Sequence, residues 1–247
     1  MALDPLITEL ALAGLAGILA GIVSGLFGVG GGVVAVPAAI WISGLDFHGA
    51  KAASLLVVIF GSTVALYRHH QGEKVLWREG LLLVAGGIPG AILSSLIARD
   101  VSETVLGQAF GVLLLLVAVR MLVGQPGQRL DRKAWMLPAL GFLAGTLTGF
   151  FGVGGGVIMV PGLSLLGFPI HHAVATSLVG VVGNGSLAAI TQASDQWQAM
   201  VRVGIPLAIG AMLGGRLGAR LALGAPAKVL RRAFAVFLAL VGLRFLL

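Results

Sequence analysis

Two glycine runs carry most of the chemistry this sequence offers. Residues 24–37 read SGLFGVGGGVVAVP and residues 148–161 read TGFFGVGGGVIMVP. Each run sets four glycines directly before a short apolar stretch: Gly28, Gly30, Gly31 and Gly32 in the first, Gly152, Gly154, Gly155 and Gly156 in the second. Glycine permits backbone angles that break a helix and lets another group approach the bare main chain. The first N–H groups of the helix that follows have no partner within it and carry a partial positive charge. An oxyanion would satisfy them, so the two runs are expected to form one central site for a small anion.

Neutral donors lie close by. Ser24 and Thr148 precede the runs, Ser54 and Ser177 fall on the next apolar segment, and Asn184 lies further along it. Hydroxyls and amides hydrogen-bond an anion without adding a fixed charge. The bland reading is packing: glycines let helices approach closely, and a Ser or Thr often bonds back to its own helix or to a neighbouring one. Duplication of the run and the short helix after it favour the site. The expected substrate-binding set is therefore these eight glycines with Ser24, Ser54, Thr148, Ser177 and Asn184.

Other chemistries are poorly served. The nine acids, Asp4, Glu9, Asp46, Glu73, Glu79, Asp100, Glu103, Asp131 and Asp195, all stand at or near segment ends. No mid-membrane carboxylate is present to relay protons or sodium, and no acid–base pair suggests an enzyme. The absence of cysteine removes disulfides, thiolate metal ligands and a thiol nucleophile. His69 with His70, and His171 with His172, are adjacent and lack nearby carboxylate co-ligands, so neither a metal nor a cofactor is expected. His48 and His171 occupy matching places in the two halves and read as interfacial anchors. Arg216 and Arg220, one turn apart, read as snorkelling cations. GVGGGV is not a nucleotide loop, since it lacks the register of G-x-G-x-x-G and a Lys-Ser/Thr pair.

The elements that must position these residues are apolar helices. The chain has 247 residues, 58% hydrophobic and 10% charged, with a mean hydropathy of +1.05. A soluble domain carries about 25% charged residues. Ten apolar segments can be marked, at 6–26, 33–45, 50–67, 79–98 and 104–123, then 135–150, 157–168, 173–191, 203–221 and 229–247. The first has no basic start of the kind a signal peptide carries, so it is kept as structure. The second segment of each half, near 12 residues, reaches only about 20 Å, short of a hydrocarbon core of about 30 Å. A half-helix or a hairpin that enters the membrane and returns fits better.

Such a hairpin leaves each half with an odd number of crossings, which inverts the second half relative to the first. Charge supports the inversion. It puts Arg68, Lys74, Arg78, Arg120, Arg129, Arg132, Lys133, Arg216, Arg220, Lys228, Arg231 and Arg232 on one side and Lys51, Arg99, Arg202 and Arg244 on the other, a split of 12 to 4. Parallel halves would divide the cations nine to seven and lose the positive-inside bias.

The expected fold is an all-α polytopic membrane protein with two inverted-topology repeats, 1–124 and 134–247, joined by a cytoplasmic linker at 125–133. Each repeat is a Gly-broken helical hairpin followed by three transmembrane helices, and both termini are expected outside the cytoplasm. The partners are the lipid bilayer and a small anionic substrate, with a homo-oligomer left open. The net charge of +7 and pI near 11.1 are read as loop anchoring rather than nucleic-acid binding, because no basic segment is long enough to track a phosphate backbone.

The paired GLFGVGGGVVAVP and GFFGVGGGVIMVP, each with its trailing proline (Pro37, Pro161) and a following His-x-A and ASL or TSL stretch, resemble the sulfite exporter TauE/SafE family of bacterial membrane proteins. The resemblance spans nearly the whole chain. It implies transport of sulfur-containing anions across the inner membrane: sulfite, sulfonates or related organosulfur compounds. It fixes neither direction nor coupling ion, and an anion channel or a membrane-embedded assembly or accessory protein is the alternative. The halves differ where Lys51 and Ala53 stand against Val174 and Thr176.

Overall fold

The computed structural model describes residues 5–97, 101–123 and 135–246, and among them every regular element is helical. The linker expected at 125–133, with Arg129, Arg132 and Lys133, lies outside the described residues, as does Arg99. The helices are α1 (Pro5–Phe27), α2 (Gly32–Ser43), α3 (Phe47–Gln71), α4 (Trp77–Ile97), α5 (Glu103–Val123), α6 (Met136–Phe151), α7 (Gly156–Leu165), α8 (Ile170–Ala199), α9 (Ile205–Gly224) and α10 (Ala227–Leu246). In hydrocarbon the backbone must satisfy its own polar groups, and a helix does so within one segment.

Ile7–Phe27, Phe47–Gln71, Trp77–Ile97 and the 55-residue stretch Ile170–Gly224 are each long and apolar enough to cross a bilayer. The outer surface agrees with that length. Leu15, Leu19, Leu93, Leu116, Leu213 and Leu240 are all exposed, and so are the four tryptophans. Trp41 and Trp197 stand near the ends of α2 and α8, Trp77 begins α4 and Trp135 precedes α6. Apolar side chains facing outward with amphipathic rings at the helix ends mark a lipid-facing belt, so the protein is a multi-pass membrane protein.

One expected boundary moves. The segments 173–191 and 203–221 are separate in the sequence reading, yet α8 continues to Ala199 and joins α9 through a π-helical turn at Met200–Gly204. The direction changes at Gln196, whose φ of −122° and ψ of 21° leave the helical region. Gln192, Ser194, Asp195 and Gln196 end the hydrophobic pattern here, but the helix outlasts it because polar residues at a membrane boundary still propagate backbone hydrogen bonds.

The second helix of each half is short as expected. α2 has 12 residues and α7 has 10, about 18 and 15 Å long. Both begin at a left-handed glycine, Gly31 (φ 74°) and Gly155 (φ 69°), with no side chain capping the first turn.

α3 and α8 pack on each other, and α5 pairs with α10. Several other contacts recur with the halves exchanged: α1 lies along α9 as α6 lies along α4, α3 meets α9 as α8 meets α4, and α2 packs on α3 as α7 packs on α8. The long pairings depend on glycine stripes. A Cβ at Gly17, Gly21 or Gly25 would strike the α9 backbone, and one at Gly141, Gly145 or Gly149 would strike α4, mostly at main-chain carbonyls. Small residues at this spacing let two membrane helices approach backbone to backbone.

Contacts sort the loops into two ends. Glu9 pairs with Arg202 at 2.8 Å, and the guanidinium of Arg244 lies 5.1 Å from the ring centre of Trp41. At the other end, His171 Nε2 donates to the carbonyl of Ala225 (3.1 Å), His172 Nδ1 donates to that of Lys74 (2.9 Å), and Trp77 Nε1 donates to His70 Nδ1 (3.3 Å).

Candidate functional site

The glycine loops sit where α1 turns into α2 and α6 turns into α7. Gly28, Gly30, Gly31, Gly152, Gly154 and Gly155 all have φ between 69° and 90°, a region closed to most side chains. The two loops cross at close range. A Cβ on Gly32 would fall 2.6 Å from the Cα of Val153, and one on Gly156 would fall 2.5 Å from that of Val29. Gly30 and Gly154 face each other at the crossing, with Val181 packed on both and Val58 packed on Gly154. Val29 and Val153, the residues between the glycines, are fully buried.

Two serines tie the crossing, each reaching into the opposite half. Ser177 Oγ shares its proton between the carbonyls of Gly28 and Val174, both at 2.8 Å. Ser54 Oγ does the same with Gly152 (2.9 Å) and Lys51 (2.6 Å). Gly28, Gly30, Gly32, Gly152, Gly154, Gly156, Ser54 and Ser177 therefore meet in one buried knot, with the serine hydroxyls turned to the loop carbonyls.

The other candidates stand further off. Ser24 Oγ hydrogen-bonds Ser62 Oγ at 3.0 Å between α1 and α3. Thr148 Oγ1 donates back to Ala144 on its own helix at 2.9 Å. Asn184 is fully buried, its side chain packed where Gly87 of α4 leaves room, and both of its amide atoms lack a hydrogen-bond partner. Buried polar groups without partners are rare enough in folded proteins to need a reason. Gly31 and Gly155 face their own hairpins: a Cβ at Gly31 would meet the carbonyl of Ala20, and one at Gly155 would meet the carbonyl of Ala144.

Sequence reading missed a polar cavity of about 220 Å³ lined by Asp46, His48, Lys51, Ser95, Gln192, Asp195 and Gln196. It opens beside the start of α3 and the ends of α4 and α8. Ser95 and Gln192 read as polar residues where an apolar segment fades, and nothing in their spacing joins them. It is the continuation of α8 beyond position 191, along α3 and α4, that brings Gln192 to the cavity.

The model of the family described as Sulfite exporter TauE/SafE matches residues 13–245, which takes in both hairpins and both serines. The chain belongs to the sulfite exporter TauE/SafE family. Among its relatives are a probable membrane transporter protein of Methanocaldococcus jannaschii, 30% identical over 67% of this chain and 65% of that protein. The probable membrane transporter protein YunE of Bacillus subtilis is 26% identical over 92% of this chain and 93% of its own. A probable membrane transporter protein of Xylella fastidiosa strain Temecula1 is 30% identical over 87% of each chain. These TauE/SafE-like relatives are named as transporters and not as enzymes. No solved structure matches.

Proposed function

We propose that this protein carries a small sulfur-containing anion, such as sulfite, a sulfonate or a related organosulfur compound, through a path between its two halves, with the crossed glycine loops as central site and gate. The observation that carries this reading is the crossing itself, since each loop ends in a short helix whose first turn no side chain caps. Irregular backbone at membrane depth is tolerated where it is buried in protein or lines a path. Broken helices meeting between repeats are how inverted-repeat transporters build a midplane anion site. Here the loops are closed on each other; parting of the hairpins would offer both helix N-termini to an anion. The description of the family as sulfite exporters supports a sulfur anion as the cargo.

Inversion of the halves is part of the proposal. It is supported at one end by Glu9 of α1 and Trp41 of α2, which both contact groups of that end, so the first hairpin enters and returns there. The second hairpin has Leu137 and Leu140 of α6 packed with Leu166 after α7 and with Leu76 at the opposite end. Among the described residues, Arg68, Lys74, Arg78, Arg120, Arg216, Arg220, Lys228, Arg231 and Arg232 belong toward that second end, against Lys51, Arg202 and Arg244 at the first. The basic end is accordingly cytoplasmic in the inner membrane, and both termini lie outside.

Uptake of radiolabelled sulfite and of a panel of sulfonates into proteoliposomes tests the function, with chloride and sulfate as competitors. Saturable uptake of one sulfur anion is the expected result. Unsaturated, electrogenic flux would mark a channel, and no flux of any of them would overturn transport.

A further inference from the structure

The cavity beside α3, α4 and α8 has a floor and a rim of different character. Its floor is buried: Lys51 is 2% exposed, Gln192 4% and Ser95 1%. Its rim holds Asp46 and Asp195, both exposed. Two floor groups are unspent, because neither amide atom of Gln192 nor the hydroxyl of Ser95 has a hydrogen-bond partner. Polar groups this deeply buried are nearly always paired, so an orphaned amide and an orphaned hydroxyl lining one cavity beside an ammonium point to an absent ligand.

We propose that this cavity is a binding site for a compact oxyanion carrying a single negative charge, a sulfonate being the fitting example, held at the floor by Lys51, Gln192 and Ser95 before it reaches the glycine loops. The donors suit that ligand: the unpartnered amide N–H pair and hydroxyl can each take one oxygen of a tetrahedral group, and the Lys51 ammonium beside them supplies the opposite charge. The volume, about 220 Å³, holds such a group with several waters at about 30 Å³ each. The exposed carboxylates of Asp46 and Asp195 oppose any anion at the rim, so a monoanion is held at the floor beside Lys51 and a second negative charge would be left uncompensated.

Position links the cavity to the path. The side chain of Lys51 packs against Gly152, and its carbonyl shares the Ser54 proton with that glycine's carbonyl. An anion at the floor is therefore one step from the second glycine loop. The second half carries Val174 where the first has Lys51, so its equivalent position brings no ammonium. The site belongs to one face of the membrane only.

The proposal rests on the transport reading for its purpose but not for its test. Binding of methanesulfonate to the purified full chain in lipid nanodiscs is measured by titration calorimetry, with Ser95→Ala, Gln192→Leu and Lys51→Met, and the same variants are assayed for flux in proteoliposomes. Expected is at least a tenfold weaker affinity for Lys51→Met and Gln192→Leu, a smaller loss for Ser95→Ala, and a matching rise in KM for flux. Ser95→Ala removes a hydroxyl that bonds nothing in the protein, so it reports on the ligand even where a larger change disturbs folding. Unchanged affinity in Ser95→Ala and Gln192→Leu, or no binding by the unaltered protein, overturns the site. Binding without flux overturns transport and leaves the site standing; saturable flux with the same KM in every variant does the reverse.

Discussion

Ser177 donates its hydroxyl proton to the carbonyl of Gly28, 149 residues earlier in the chain, at 2.8 Å. Ser54 makes the corresponding bond to Gly152 in the opposite sense, so each half closes the other's loop. Interhelical hydrogen bonds in membranes contribute modestly, about 0.6 kcal/mol on average. Ser54→Ala and Ser177→Ala are each expected to lose about 0.5–1.5 kcal/mol. The double variant should depart from the sum, since the two loops pack on one another. Denaturant-induced unfolding in bicelles measures all three; a variant as stable as the parent protein would show that its serine does not hold the loop.

Close approach between α1 and α9 makes two glycines behave oppositely. A Cβ at Gly14 would meet nothing within 4 Å, whereas one at Gly210 would run into the carbonyl of Gly14 and lie 2.9 Å from the nitrogen of Ile18. Gly14→Ala is expected to be neutral or to stabilise by up to about 1 kcal/mol, through helix propensity. Gly210→Ala should cost about 1–3 kcal/mol by overpacking. The same unfolding assay decides, and equal effects in both variants would contradict the interface.

Much of this fold was legible because apolar length and a duplicated motif are properties of sequence. The short α2 and α7 followed from segment length, and the pairing of the loops followed from the repeat of GVGGG. The roles within the site were less legible. Ser54 and Ser177 were marked as donors, but sequence cannot say that their protons go to glycine carbonyls of the opposite half. Gly31 and Gly155 turn toward their own hairpins, so a leucine at either would distort its own loop rather than fill a space between the two loops. The cavity at Gln192 was hidden because polarity there looked like the end of a helix that in fact continues to Ala199.

Asn184 separates stability from transport. Its amide atoms bond nothing, so Asn184→Ala sacrifices no hydrogen bond and removes an unpaired polar group, at the expense of a small void beside Gly87. Stability is expected to stay within about 1 kcal/mol of the parent, because these effects oppose each other. If Asn184 meets the anion when the hairpins part, sulfite flux should fall at least tenfold in the same variant. Full flux in a stable Asn184→Ala protein would remove this residue from the path.

The absence of cysteine from the sequence makes orientation directly testable, since any introduced thiol is the only one present. Asp195 is exposed at the end that holds the polar cavity, and Lys228 is exposed near the start of α10, close to the end where His171 meets Ala225. The excess of Lys and Arg at the second end should keep it in the cytoplasm. In intact cells, a membrane-impermeant maleimide is therefore expected to label Asp195→Cys and to spare Lys228→Cys until the membrane is permeabilised. The reverse pattern would turn the protein over and place the polar cavity on the cytoplasmic face. Labelling of both in intact cells would mean that the two ends do not lie on opposite sides, which would defeat the inverted arrangement and the path between the halves with it.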